Sequence, residues 1–332
     1  MTNRKYAAIL GVYGNPADRF MGCGYKKEQP SVKERIQTAG KSKYVRSLEF
    51  TTGPGEDVFH ENAKEIVQLV KDSGLEICAM NPNLWGFQKW EKGTIGAADA
   101  NIRRQAIDYC KEVMDLAAEH GVKNMGIWPG QDGYDYVFEV DYQKQYEWWV
   151  TGVQELADYN PNLQICLEYK PYEPRTHSTI DTGPKTLLML RDIDRTNVGM
   201  TLDIGHALVQ HENLGDVISL AQQRRKLFHM HLNDNYGDWD WDMNFGSVRT
   251  FELIEMLYWL KRTQFDGWYS IDIFAYRTPQ SASVDESLAW LDTLMNFVDE
   301  TGQEKFDELI AAGDPIATSR FFRQSIFGQY SK

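Results

Sequence analysis

LEYKP (167–171), TLDIGH (201–206), HMHLNDN (229–235) and SIDIF (270–274) decide how this chain folds. Each starts as an apolar, strand-like run and ends on a group that binds hard cations: Glu168, then Asp203 with His206, then His231, then Asp272. The four runs lie roughly 30–40 residues apart, about the length of one strand–helix unit. Side chains at the carboxyl ends of successive parallel strands converge on one site. A lone acid at a strand end is ordinarily a helix cap or a surface ion-pair partner, and a lone strand histidine a satisfied core group. Four such ends in succession point instead to a metal-dependent enzyme.

Working outward, the same rhythm covers the chain. Apolar runs predict strands near 6–12 (YAAILGV), 46–50 (RSLEF), 75–80 (LEICAM), 123–128 (KNMGIW), 163–168 (LQICLE), 198–203 (VGMTLD), 227–232 (LFHMHL) and 268–273 (WYSIDI). Their near-continuous apolarity suits a parallel sheet covered on both faces. Amphipathic segments lie between them at 61–73, 99–120, 141–159, 184–194, 214–225, 248–264 and 282–299. NIRRQAIDYCKEVMDLAAEHG (101–121) repeats its apolar positions at helical spacing and stops at glycine. Eight strands alternating with helices predict an α/β chain folded as a (β/α)8, or TIM, barrel. The expected division is a single barrel domain over 1–300 with a C-terminal helix and a polar, aromatic-containing tail over 301–332.

The 332 residues suit one such barrel, and a hydrophobic content of 42% can fill a large core. The net charge of −13 gives no electrostatic footprint for nucleic acid or an anionic membrane. No apolar run approaches the ~18 residues of a membrane span, and the first residues lack a signal-peptide layout. Cys23, Cys78, Cys110 and Cys166 are scattered without a Cys-x-x-Cys pair. They read as reduced thiols, and the expected location is cytoplasmic.

A cysteine-free set of carboxylates and imidazoles suits Mn²⁺, Mg²⁺ or Co²⁺ better than structural zinc. The expected ligands of one ion are Glu168, Asp203, His231 and Asp272. Asp203 and His206 lie three residues apart and could serve one ion each or share one. His229 shares a strand face with His231, by the period of two, and is expected to be buried behind it. GDWDWDM (237–243) alternates acids with tryptophans, and could hold a second ion or form a solvated acidic loop. Lys170 sits on the same strand face as Glu168. Beside a divalent cation it is expected to have a depressed pKa or to hold a substrate oxygen, and otherwise to pair with a ligand carboxylate. Trp85 and Trp128 follow the third and fourth strands, where an aromatic face can stack on a sugar or pack the rim.

In combination these segments resemble the xylose isomerase-like TIM barrels, which include xylose isomerase, the bacterial rhamnose isomerases and the tagatose/psicose 3-epimerases. The likeness runs from about residue 80 to 280. EYKPYEPR (168–175) resembles a segment with a metal-bridging glutamate and a catalytic lysine, which implies those roles for Glu168 and Lys170. DIGHA (203–207) implies a ligand in Asp203 and a second-metal residue in His206. HMHLNDN with DWDWDM implies His231 at the first ion and Asp240 and Asp242 at the second, and SIDIFAYRT implies Asp272. NLWGF (83–87), KGTIGAADANIRRQAIDYC (92–110) and IWPGQDG (127–133) match the third and fourth strand regions and suggest Trp85 and Trp128 as stacking walls.

The departures are informative. A ring-opening histidine follows strand 2 of xylose isomerase, whereas this chain reads LEFTTGPGED (48–57). Asp272 stands where the 3-epimerases use glutamate, and their arginine after the metal histidine is missing from HLNDNYGD (231–238). The resemblance implies a sugar isomerase or epimerase that enolises a carbonyl, with Glu168 or Asp272 moving the proton. With two ions, a hydride shift becomes possible, with Lys170 holding the C1 oxygen. The alternative is the catalytic chain of a C-glycoside deglycosidase, cleaving 3-oxo-glycosides beside a small second subunit. A metal-dependent apurinic endonuclease is a remote third, disfavoured by the acidic charge. The expected partners are a sugar or glycoside substrate and further copies of the chain, with no nucleic acid and no membrane.

Overall fold

All eight apolar runs form strands of one closed parallel barrel in the computed structural model, which describes residues 4–330. The strands are β1 (Tyr6–Ile9), β2 (Ser47–Thr52), β3 (Glu76–Pro82), β4 (Asn124–Ile127), β5 (Gln164–Glu168), β6 (Val198–Asp203), β7 (Leu227–Leu232) and β8 (Trp268–Ile271). Each pairs with its sequence neighbours, and β1 closes the ring against β8. The interior sheet is covered by helices, which is why the strands read as continuous apolar runs rather than alternating ones.

The helices are α1 (Val32–Ala39), α2 (Ala63–Asp72), α3 (Ala100–Glu119), α4 (Tyr142–Tyr159), α5 (Gly183–Ile193), α6 (Ile204–Val209), α7 (Leu214–Gln223), α8 (Thr250–Arg262), α9 (Gln280–Thr301), α10 (Gln303–Ala312) and α11 (Pro315–Phe327). The sequence pattern anticipates all of them except α1, α6 and α11. α1 is short, and only its Ser31–Glu34 capping box announces it. α6 starts on Asp203, whose Oδ1 accepts from the backbone of Gly205 and His206 at 2.8 and 3.2 Å. α11 occupies most of what reads as a polar tail. Asp314 caps it, Pro315 fits its first turn, and none of its side chains is buried. Residues 331–332 of that tail lie outside the described residues. Among the described residues no helix is long and apolar enough to cross a membrane, and the four cysteines are free.

Strand register sets the height of the site. Asp203 on β6 lies level with His231 on β7, and His231 with Ser270 on β8. Asp272 is the first residue beyond β8, and Glu168 ends β5. The four side chains therefore emerge at nearly one level around half of the barrel mouth.

The other half is tied together by Asp132, in the loop after β4. Its fully buried carboxylate accepts from Thr94 N at 3.0 Å and Gly96 N at 2.8 Å, and also from the Thr94 hydroxyl. Its carbonyl accepts from Thr179 N at 3.1 Å. Three strand-to-helix loops thus meet at one residue. A Cβ at Gly96 would stand 2.8 Å from Asp132 Oδ1, so glycine is what lets the loop approach. Replacing Asp132 by alanine would strand two buried backbone donors. We expect a loss of about 2–6 kcal/mol in urea unfolding, at about 1–3 kcal/mol per unsatisfied buried group.

Candidate active site

At the carboxyl end of the barrel, one ligand-type atom from each of Glu168, Asp203, His231 and Asp272 lies within 4.8 Å of the others. The imidazole of His231 stands at the centre. Its Nδ1 is 3.3 Å from Glu168 Oε2, 3.6 Å from Asp272 Oδ2 and 3.9 Å from Asp203 Oδ2. Asp203 is fully buried and does two jobs, capping α6 with one oxygen and turning the other toward His231. Asn233 steadies it, donating from Nδ2 to Oδ1 at 3.1 Å and to Oδ2 at 3.3 Å.

A second group adjoins the first and shares Asp203. Asp203, His206 and Asp240 also bring one ligand atom each within 4.8 Å of one another. His206 Nδ1 lies 2.8 Å from the Tyr169 carbonyl, to which it donates, so Nε2 faces Asp240 Oδ2 at 3.1 Å. That backbone bond fixes the ring orientation a metal-ligating histidine needs. Asp242 does not join this group. Its left-handed backbone, with φ of 46°, goes with a carboxylate turned toward Asn233 Nδ2 at 3.5 Å. The third member beside His206 and Asp240 is Asp203, not Asp242.

Lys170 is buried and pairs with Asp240 Oδ2 at 2.9 Å and Glu173 Oε2 at 2.8 Å, with Nζ 5.4 Å from the Trp128 ring centre. Burial would push its ammonium down, but Asp240, Asp242 and Glu173 outweigh it and raise the pKa. Lys170 therefore pairs as a charged ammonium with a carboxylate of the second cluster. The half-buried Trp85 and Trp128 rings meet at 5.2 Å and a 56° tilt, with Trp128 beside that ammonium.

Burial and crowding pull the acids apart. Burial lifts the Asp272 carboxyl to about 7, with Asp203 and Glu168 adding to the rise against His231. Burial acts the same way on Glu168, but His231, His206 and Lys170 overcome it and hold that carboxyl below its usual range. Burial would also depress both imidazoles, yet Asp203 and Asp240 lift His206 to about 9, and Glu168 and Glu49 raise His231 well above normal. An entering cation would take the place of those protons.

The residues fit a divalent ion on chemical grounds. Three carboxylates and an imidazole are a hard-cation donor set. His231 Nδ1 and Asp240 Oδ1 are buried without a hydrogen-bond partner. Both orphaned atoms belong to the two clusters.

Sequence reasoning missed Glu49, seeing in LEF only the absence of a histidine. Glu49 is 1% exposed and reaches across the barrel to His229 Nε2 at 2.7 Å and His231 Nε2 at 3.3 Å. Burial would raise its carboxyl, but those two rings hold it well below the usual range. The signal available was an acid inside an otherwise apolar strand. His229 is buried behind His231 with its ring 5.3 Å away.

A closed parallel barrel with carboxylates and histidines gathered at the carboxyl ends of its strands defines a broad class of barrel enzymes. Within that class the chain belongs to the xylose isomerase-like TIM barrel family, whose model matches residues 43–294. The chain is 26% identical to the xylose isomerase of Thermus thermophilus over 223 residues, 65% of this chain and 58% of that protein. It is 28% identical to a probable sugar isomerase of Mesorhizobium japonicum over 230 residues, 67% of this chain and 52% of that protein. The chain thus spans a little over half the length of these curated relatives. A D-tagatose 3-epimerase-like protein shares the fold with a TM-score of 0.69 at 20% identity, covering 90% of this chain and 99% of that one.

The tryptophan wall yields a test. Trp128→Ala should weaken substrate binding by about 1–3 kcal/mol, as expected for loss of a large aromatic contact face. The readout is a raised KM in steady-state assays. An unchanged KM and kcat would return Trp128 to rim packing.

Proposed function

We propose that the chain is a divalent-metal-dependent sugar isomerase or epimerase that enolises a substrate carbonyl. The observation that carries this is the convergence of Glu168, Asp203, His231 and Asp272 at four successive strand ends within 4.8 Å. Those four would hold the ion, Mn²⁺, Mg²⁺ or Co²⁺ by their donor chemistry, and Asp203, His206 and Asp240 would hold a second. When bound, such an ion polarises adjacent carbonyl and hydroxyl oxygens.

The side chains divide the remaining work. Glu168 and Asp272 come from β5 and β8, the outer strands of the four-strand arc. One of these two carboxylates moves the proton alpha to the carbonyl. Return to the opposite face of the same carbon epimerises, and return to the neighbouring carbon isomerises. Lys170, held by Asp240 and Glu173, offers its ammonium to a substrate oxygen, or to the C1 oxygen if the reaction runs as a hydride shift. Trp85 and Trp128 stack on the sugar.

Three of the seven histidines are buried, His206, His229 and His231, and each is engaged within the site or behind it. The position after β2 that opens a sugar ring in xylose isomerase supplies none here. This favours a substrate that already carries a ketone. A second reading, lyase cleavage of a 3-oxo-glycoside, shares the same first step. It is favoured by exposed aromatics on the loops after β4 and β7: Tyr136 at 77%, Phe138 at 98% and Trp241 at 50%. An aglycone, a small second subunit or a second copy of the chain would find apolar surface there.

Two outcomes test the proposal. Glu168→Gln and Asp203→Asn should each lose activity and retained metal together, by about 10²-fold or more in kcat for loss of a positioned proton carrier or ligand. Metal content after dialysis and initial rates measure both. Ketoses or 3-oxo-glycosides should turn over faster than xylose or glucose, with deuterium from D₂O appearing at the substrate carbon. Robust turnover of xylose without deuterium uptake would restore a plain aldose isomerase working by hydride shift.

A further inference from the structure

We propose that Glu49 is the positioning residue that aims His231 at the ion site, through a hydrogen-bonded chain that begins half-buried at the backbone of β4 and ends buried at Glu49 and His231. The inference rests on the reading that His231 helps to hold a divalent ion.

The chain of bonds runs across the barrel interior. Gly126 N, on β4, donates to Asn81 Oδ1 at 2.7 Å. That bond fixes which end of the Asn81 amide is which, so its Nδ2 faces Glu49 Oε2 and donates at 3.2 Å. The same oxygen accepts from His231 Nε2 at 3.3 Å, and Oε1 accepts from His229 Nε2 at 2.7 Å. Three donors converge on two oxygens. A carboxylate, which only accepts, satisfies all three, and an amide would turn a donor toward one of them.

The consequence falls on the His231 ring. Its Nε2–H is committed to Glu49, so Nδ1 is the nitrogen turned toward Glu168, Asp272 and Asp203 at 3.3, 3.6 and 3.9 Å. A half-turn of the ring would put Cδ2 in place of Nδ1 and remove the donor atom from the site. The terminal torsion of histidine is broad and nearly two-fold, so rotamer preference alone does not exclude that half-turn. The bond to Glu49 does. His229 braces the arrangement, its ring edge-on to His231 at 87°. Glu49 lies on β2 and His231 on β7, with β1 and β8 between them, so no local element would otherwise link their orientations.

The test is Mn²⁺ titration of the metal-free protein, reading free Mn²⁺ by electron paramagnetic resonance, with circular dichroism and thermal melting of the metal-free form as the fold control. Glu49→Gln keeps the volume and breaks the acceptor pattern. Its Kd for Mn²⁺ should rise about 10–100-fold, the usual loss when the partner behind a metal histidine is removed. Asn81→Leu keeps the carboxylate but drops one donor, and should raise Kd about tenfold or less. Wild-type affinity in a folded Glu49→Gln variant overturns the proposal. If that variant does not fold, wild-type affinity in Asn81→Leu overturns it instead. Two ions in the wild type and one, at unchanged affinity, in Glu49→Gln would make Glu49 a ligand and also overturn it. A wild-type chain that takes no Mn²⁺ removes the ion reading itself, an outcome distinct from a wild type that binds and variants that bind equally well.

Discussion

Crowded negative charge is the constraint on which the mouth of this barrel depends. Glu168, Asp203, Asp240, Asp242 and Asp272 share one small volume, most of it out of water. Two carboxylates about 4 Å apart repel by about 4 kcal/mol at the effective dielectric of such a site. Lys170 answers part of that charge by pairing with Asp240, and the histidines answer more by holding protons. What remains is a standing attraction for a cation. The fold tolerates the repulsion because each acid is anchored by something else: Asp203 by the start of α6 and Asn233, Asp240 by Lys170 and His206.

The anchoring groups lie beyond what a local sequence pattern can show. Glu168, Asp203, His231 and Asp272 were legible because an apolar run that ends abruptly on a ligand-type side chain is a local event, repeated four times. Glu49 was not, because its meaning is a bond to a histidine 180 residues later. Nothing within LEF distinguishes a strand acid that faces a histidine pair from one that faces solvent. The acids of GDWDWDM looked equivalent for the same reason. Only the turn separates Asp240, which meets Lys170 and His206, from Asp242, which turns back to Asn233.

Legibility of the fold followed the strength of periodicity. The eight strands and the long helices carry many apolar positions each, and appear close to where the pattern places them, except that the run at 6–12 leaves the sheet after Ile9 and turns into a 3-10 helix over Leu10–Tyr13. The missed elements are of two kinds. α1 and α6 have too few turns to show a period, although each carries a cap that could have been read, Ser31 with Glu34 for one and Asp203 for the other. In α6 the cap was recognised as a ligand candidate and its structural job overlooked, and it holds both. α11 was hidden for another reason. Its apolar residues Phe321, Phe322 and Ile326 pack only half-buried against the core, and between them the segment reads as polar.

Ligands and walls come from different halves of the chain. Every carboxylate and histidine of the two clusters follows β5, β6, β7 or β8, whereas Trp85, Trp128 and the Asp132 tie follow β3 and β4. Glu49 is a thread that crosses from the first half to the second, braced within the first half by Asn81. Such a partition separates two kinds of inheritance. Under the proposed function, the later half can keep its reaction while the earlier half drifts, so a lineage built on this plan could exchange one substrate for another by rewriting two loops and leaving its chemistry alone. An exchange of half-barrels between relatives would need, besides matched strand edges and the Asp132 tie, an incoming β2 with an acid long enough to reach the histidines of β7.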